Sequence, residues 1–283
     1  MPVETQPFGG LPRPGPALRR VLAGLFLCWL VFALLINWGP PPLAMQAERL
    51  FFALSGDVGA IAVGQLWRLL TSTCLHSPRE LGHIFFTLLG LYFLSPSLEQ
   101  KWGAQRFLRF LLTAALVSSG LQTLTLLLLP ASIAARLAPE HPFGALPLVE
   151  AVAIAWAMSF RGRTVQLFFL IPVSSTQLIL VVVGGSLLAI VAQAGSHSGL
   201  VSPFGGMLVG WLLGGDPPTL RRWVLKLRMA RNQRELARLR ETRSRRAAAA
   251  GLRVIEGGRT QDRGDDDPPD SGPGSDSGGR VLH

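Results

Sequence analysis

Two histidines, His76 and His83, stand seven residues apart, with Cys74 just before them and Pro78 between. Imidazole is the commonest metal ligand and general base of proteins. A zinc site, however, needs ligands at fixed spacing, and Pro78 keeps this pair off one helical face. No cluster of Cys, Asp or Glu accompanies them, so no metal site is expected. A second chemical feature is Glu150, which sits inside the apolar run from Phe143 to Phe160. Seven residues after Phe143, it shares a face with that residue if the run is one helix, roughly 10 Å deeper at 1.5 Å per residue. An ionisable group in such a run points to a polar partner or a hydrated cavity, with Thr87 and Gln122 as candidate partners. A carboxyl bonded to a neighbouring helix purely for packing is the other reading. The chain has no glycine-rich phosphate loop and no cofactor fingerprint, so no cofactor is expected. Cys28 and Cys74 fall within or beside apolar stretches and imply no disulfide framework.

The elements that must carry these groups are membrane spans. Residues are 49% hydrophobic and only 16% charged, with mean hydropathy +0.37, too apolar for a soluble domain of this length. Apolar runs extend over Val21–Trp38, His83–Ser95, Phe107–Leu129, Phe143–Phe160, Gln177–Val191 and Leu200–Leu213. The first ends at Asn-Trp-Gly-Pro-Pro-Pro rather than at small residues, and so reads as a retained span, not a signal peptide. Positive charge recurs at every second connection: Arg19 and Arg20, then Lys101, Arg106 and Arg109, then Arg161 and Arg163. That alternation predicts an all-α polytopic bundle of six spans with both termini cytoplasmic. Gly39–Gly82 becomes a long external loop containing an amphipathic segment, Met45–Leu54. Val165–Val173 is apolar but broken at Pro172, and Gly195–Gly199 is a small outer loop.

Four parts are expected: a disordered Pro- and Gly-rich terminus over 1–17, the membrane domain over 18–215, a basic cytoplasmic helix over 216–253 and a disordered acidic tail over 254–283. Between Arg221 and Arg253 lie twelve Lys or Arg and only two Glu. Clustered arginine is a phosphate-binding footprint. Directly after a span, though, it favours anionic lipid over nucleic acid, and no nucleic-acid partner is expected. Leu220, Trp223, Val224 and Leu227 share one face of that helix, as do Leu236 and Leu239 further on. It either lies on the inner leaflet or is a solvated helix with a positive anchor.

The order of residues from Leu66 to Phe107 carries more than composition. It starts at Trp67-Arg68, passes His76 and His83, crosses an apolar run, and leaves at Glu99 and Trp102-Gly103-Ala104-Gln105-Arg106-Phe107. This stretch resembles the rhomboid family of intramembrane serine proteases, and the likeness covers about 18–215. The resemblance implies a Ser–His dyad, with serine in Gly-x-Ser-Gly opening span four and histidine in Ala-His-x-x-Gly-x-x-x-Gly on span six. A histidine and an asparagine four residues apart on span two would hold the oxyanion. A base in reach of a hydroxyl, with fixed donors for the tetrahedral charge, is the whole of that chemistry.

Matched to those motifs, Gly206 and Gly210 keep the span-six glycines, but Pro203 takes the histidine position and Phe143 the serine position. On span two His83 is retained and Thr87 replaces asparagine. Trp67, Arg68, Glu99, Gly103, Gly206 and Gly210 remain as scaffold. Scaffold kept and dyad lost is the pattern of rhomboid pseudoproteases such as Derlins and iRhoms. The resemblance therefore implies a non-proteolytic protein that binds transmembrane segments of client proteins, with Glu150 and Gln122 in its polar interior. An active protease using Ser202 or His197, and a small-solute conduit through Glu150 and Gln122, are the alternatives. The Arg-rich loops suit a bacterial inner membrane.

Overall fold

The structure, a computed structural model, describes residues 13–167, 171–192 and 197–249. Of the terminus expected to be disordered over 1–17, residues 1–12 lie outside the described residues, but α1 already begins at Pro16 and buries Ala17, because Pro at the first helical turn starts the helix early. The acidic tail, 168–170 and the start of the expected Gly195–Gly199 loop also lie outside the described residues. Eleven helices and one hairpin follow in order: α1 (Pro16–Trp38), α2 (Pro41–Leu54), α3 (Val58–Ala62), α4 (Arg68–Cys74), α5 (Leu81–Trp102), α6 (Ala104–Leu128), α7 (Ala131–Leu137), α8 (Leu146–Ser159), β1 (Thr164–Leu167), β2 (Ile171–Ser174), α9 (Ser175–Val191), α10 (Ser202–Leu213) and α11 (Thr219–Ala249).

Among the described residues three helices are long and apolar enough to cross a membrane: α1, α5 and α6. The other apolar helices, α8, α9 and α10, have 14, 17 and 12 residues. At 1.5 Å per residue they reach about 21, 26 and 18 Å, less than the roughly 30 Å of a hydrocarbon core. The expected fourth run shortens because Gly144 takes φ 119, so the helix starts only at Leu146. Phe143 therefore precedes α8, and the two-turn relation drawn between Phe143 and Glu150 does not hold. The second run lengthens instead: α5 accepts Pro96 in its interior, at the loss of one backbone bond, and continues to Trp102.

The chain is not wholly helical. Thr164–Leu167 pairs antiparallel with Ile171–Ser174, Val165 opposite Val173, where the sequence suggested only an interrupted apolar segment. Ser174 then starts α9 with a reciprocal bond to Gln177, which satisfies two donors at the helix start.

Tight packing centres on α10, which lies against α8 and α6. A Cβ on Gly206 would collide with the Pro147 carbonyl, one on Gly210 with the Ala151 carbonyl, and one on Gly205 with the Ser118 backbone. Glycine at these points lets the backbones touch, the usual way helices associate where lipid removes the hydrophobic drive. In contrast α9 packs on α8, meets α10 only lightly and makes no substantial contact with α5.

The positive loops converge at one end. Lys101 donates to the Ser159 carbonyl at 3.1 Å and lies over the Phe160 ring, and Arg163 faces the same ring. The start of α1 is there too, because Glu99 accepts from the amides of Ala17 (2.9 Å) and Leu18 (3.1 Å). The end of α10 joins them through Arg106 and the Leu213 carbonyl.

The chain divides into two compact units, Met1–Lys226 and Leu227–His283. The described part of the second unit is the remainder of α11, on which Leu227, Leu236 and Leu239 are all exposed.

Candidate functional site

Phe143, Pro203, His76 and His83 gather at the end of the bundle opposite the basic loops, whereas Glu99 and Gly103 lie at the basic end. Two carbonyls fix the chain before α8: Phe143 N donates to His197 O at 2.7 Å and Gly144 N to Ser72 O at 2.9 Å. The Phe143 ring stacks on the His197 ring, with centroids 4.9 Å apart and planes 22° from parallel, and meets Phe51 edge-on at 5.0 Å. Pro203 is buried in the first turn of α10, where a missing N–H costs nothing. Neither side chain is a nucleophile or a base. Beside them Ser202 spends its hydroxyl on the Ser198 carbonyl at 2.7 Å, and Ser119 lies 3.4 Å from Thr73 Oγ1. The cavity among Phe143, Ser72, Ser119, Gln122 and Ser202 is about 20 Å³. That is room for about one water molecule, not for a peptide bond with flanking residues.

Three histidines meet next to this point, which spacing alone did not indicate. His83 has ring centroids 5.0 Å from His76 and 4.7 Å from His197. Its Nδ1 accepts from Ser77 N at 3.1 Å, and a Cβ on Gly144 would press on its Nε2. His197 Nε2 pairs with Glu80 at 3.0 Å. His76 is 1% exposed, and neither ring nitrogen has a hydrogen-bond partner among the described residues. Burial, reinforced by His83 next to it, pushes the His76 pKa down to about 3, so the ring is neutral. The bond to His197 and its charge lower the Glu80 carboxyl below its usual range. Among the described residues no three His, Cys, Asp or Glu side chains are arranged to hold a metal.

The interior polar groups divide differently from expectation. Glu150 and Gln122 bond neither each other nor Thr87. Gln122 Oε1 accepts from the amides of Val201 and Ser202, both at 2.9 Å, and so caps the start of α10. Thr87 returns its hydroxyl to the His83 carbonyl at 3.0 Å. Glu150 Oε1 lies 3.0 Å from Ser186 Oγ on α9, while Oε2 is buried with no partner among the described residues. Ser186 is also 3.0 Å from the Val182 carbonyl, so one hydroxyl proton faces two acceptors. The expected shared cavity fails because each amide or carboxyl finds a closer donor on a different helix.

The scaffold residues have plain tasks. Arg68, 9% exposed, donates to the carbonyls of Phe52 and Ser55 at 2.8 Å and to Gln65, closing the C-terminal end of α2. Trp67 stays half-exposed beside it. Glu99 caps α1, and Gly103, at φ 78, turns α5 into α6.

A helical chain with these spans and this buried polar wiring can be compared with known families. A family model described as "Eukaryotic integral membrane protein (DUF1751)" matches residues 20–213. The chain belongs to this family of integral membrane proteins. The matched residues run from the first turns of α1 to the end of α10, so the family takes in every site residue above and stops before α11. Its eukaryotic description tells against the bacterial inner membrane expected from the basic loops. Positive charge on one side orients a span in many kinds of membrane and does not discriminate between them. No curated protein matches the chain.

The Glu80–His197 pair and the contact of His197 with the His76–His83 pair are what the sequence did not indicate. Alternation of the loops put these residues on one side of the bundle. Nothing in the spacing said that residues more than a hundred apart would touch.

Proposed function

We propose that this family member is a rhomboid-like bundle of six spans that binds transmembrane segments of client proteins without cleaving them. Both termini are cytosolic in this reading. Three helices long enough to cross and three shorter apolar ones support it, as does the meeting of the α1 start with the α10 end at the basic loops, which needs an even number of crossings. Loss of proteolysis is supported by Phe143 and Pro203 at the dyad-equivalent positions and by a cavity of about one water there. His83 and Thr87 then remain as oxyanion-equivalent residues without an oxyanion. The basic helix would lie against anionic lipid.

The observation that carries the reading is the Glu150–Ser186 pair. It sits on the α8–α9 seam, beside a flank that α5 leaves open, and one carboxyl oxygen has no partner among the described residues. A client helix with a polar residue gains there a hydrogen bond that lipid cannot supply. Phe86 on α5 and Val181 on α9 are exposed, 61% and 60%. A photo-crosslinking residue at either position should capture a single-span membrane protein bearing a mid-span serine or asparagine. The same residue at Leu27 on α1 should not. Equal capture at all three positions would contradict the proposal.

A further inference from the structure

At the basic end of the bundle a cavity of about 680 Å³ opens beside the start of α6, and nothing in the client-binding reading uses it. That volume lies within the range of small-molecule sites. Its lining holds two guanidinium groups, Arg106 and Arg109, together with Gln105 and Thr113, and no carboxylate. Arg106 is held in place: its Nη2 lies 3.5 Å from the Leu213 carbonyl and 3.4 Å from the Gly215 carbonyl, and its guanidinium lies 4.7 Å from the centre of the Trp102 ring. Those contacts leave its other donors unspent among the described residues. The Gly103 cap offers no side-chain acceptor to the first turn of α6, so helix-start amides add to the positive end of this pocket. Three and seven residues beyond Arg109, Leu112 and Leu116 continue the same face and are exposed, 46% and 41%.

We propose that this cavity binds the phosphate head group of an anionic phospholipid, with Arg106 and Arg109 on the phosphate and the acyl chains along Leu112 and Leu116. A free phosphate ion would use the same two arginines but not the leucine strip.

The test uses the full chain in detergent, with lipid retention read by native mass spectrometry and binding by thermal shift. Phosphatidylserine should be retained and phosphatidylcholine should not. Joint Arg106→Gln and Arg109→Gln substitution should weaken retention by roughly ten- to thirtyfold, since each arginine near a membrane surface contributes about 1 kcal/mol. Arg109→Gln alone, which removes only an exposed charge, should weaken it about fivefold with unchanged circular dichroism. Arg231→Gln with Arg234→Gln on α11 should leave this retained lipid in place. Equal retention of phosphatidylcholine, loss of lipid in the α11 variant alone, or an equal thermal shift with inorganic phosphate would each overturn the assignment.

Discussion

Helix α8 has two neighbours that are attached to it in opposite ways. Against α10 the backbones touch, with Gly206 on the Pro147 carbonyl and Gly210 on the Ala151 carbonyl beside Ile154. Against α9 the contact is looser, and its specific element is one polar pair, Glu150 with Ser186. On α9, Gly184 and Gly185 have no atom within 4 Å of an added Cβ. The same residue type is therefore a packing necessity on one side of α8 and a mere absence of side chain on the other. A bundle built this way has one closely packed seam and one loose seam.

Substitutions at the two seams should separate sharply. Gly206→Leu should cost about 3 kcal/mol or more, because a carbonyl on a rigid helix cannot move aside. Thermal unfolding in detergent should report it as loss of the cooperative transition. Next in size is Glu99→Ala, which strips the acceptor from two buried amides at the start of α1 and should cost about 1–3 kcal/mol. Acid should act through His76. Its folded pKa lies far below the ordinary 6.5, so the unfolded chain binds the extra proton. Stability is then complete above about pH 6.5 and falls as pH drops toward 3, by up to about 1.4 kcal/mol for each pH unit. Glu80 works in the same direction, since a lowered carboxyl pKa is also a stability lost in acid. His76→Gln should flatten that profile between pH 6.5 and 4.5. At the small end, Ser186→Ala should cost about 0.6 kcal/mol, typical of a hydrogen bond between spans, yet lower client capture at Val181. Gly184→Ala should be neutral or stabilising by up to about 1 kcal/mol. Equal penalties at Gly206 and Gly184 would remove the contrast on which this picture rests.

How much of this was legible in the sequence follows from the range of each signal. The long apolar runs are local, and α1 and α6 follow them closely, while α5 overruns its own to Trp102. The glycines of α10 were legible through the rhomboid resemblance, whose span-six motif they match. Helix starts were less so: the fourth run looks continuous until Gly144 adopts a backbone angle that only the fold dictates. The partners of buried polar groups were not legible. Gln122, Thr87 and Glu150 are all plausible mates by depth, but a hydrogen bond needs a donor within about 3 Å, and that depends on helix rotation. The three-histidine contact is of the same kind, set by a loop, a helix start and a second loop.

The central proposal is that no serine of the bundle acts as a nucleophile. Labelling of the purified chain with a fluorophosphonate probe, beside an active rhomboid protease as control, tests it most directly. The account predicts no labelling while the control reacts. Robust labelling that Ser202→Ala abolishes would contradict it.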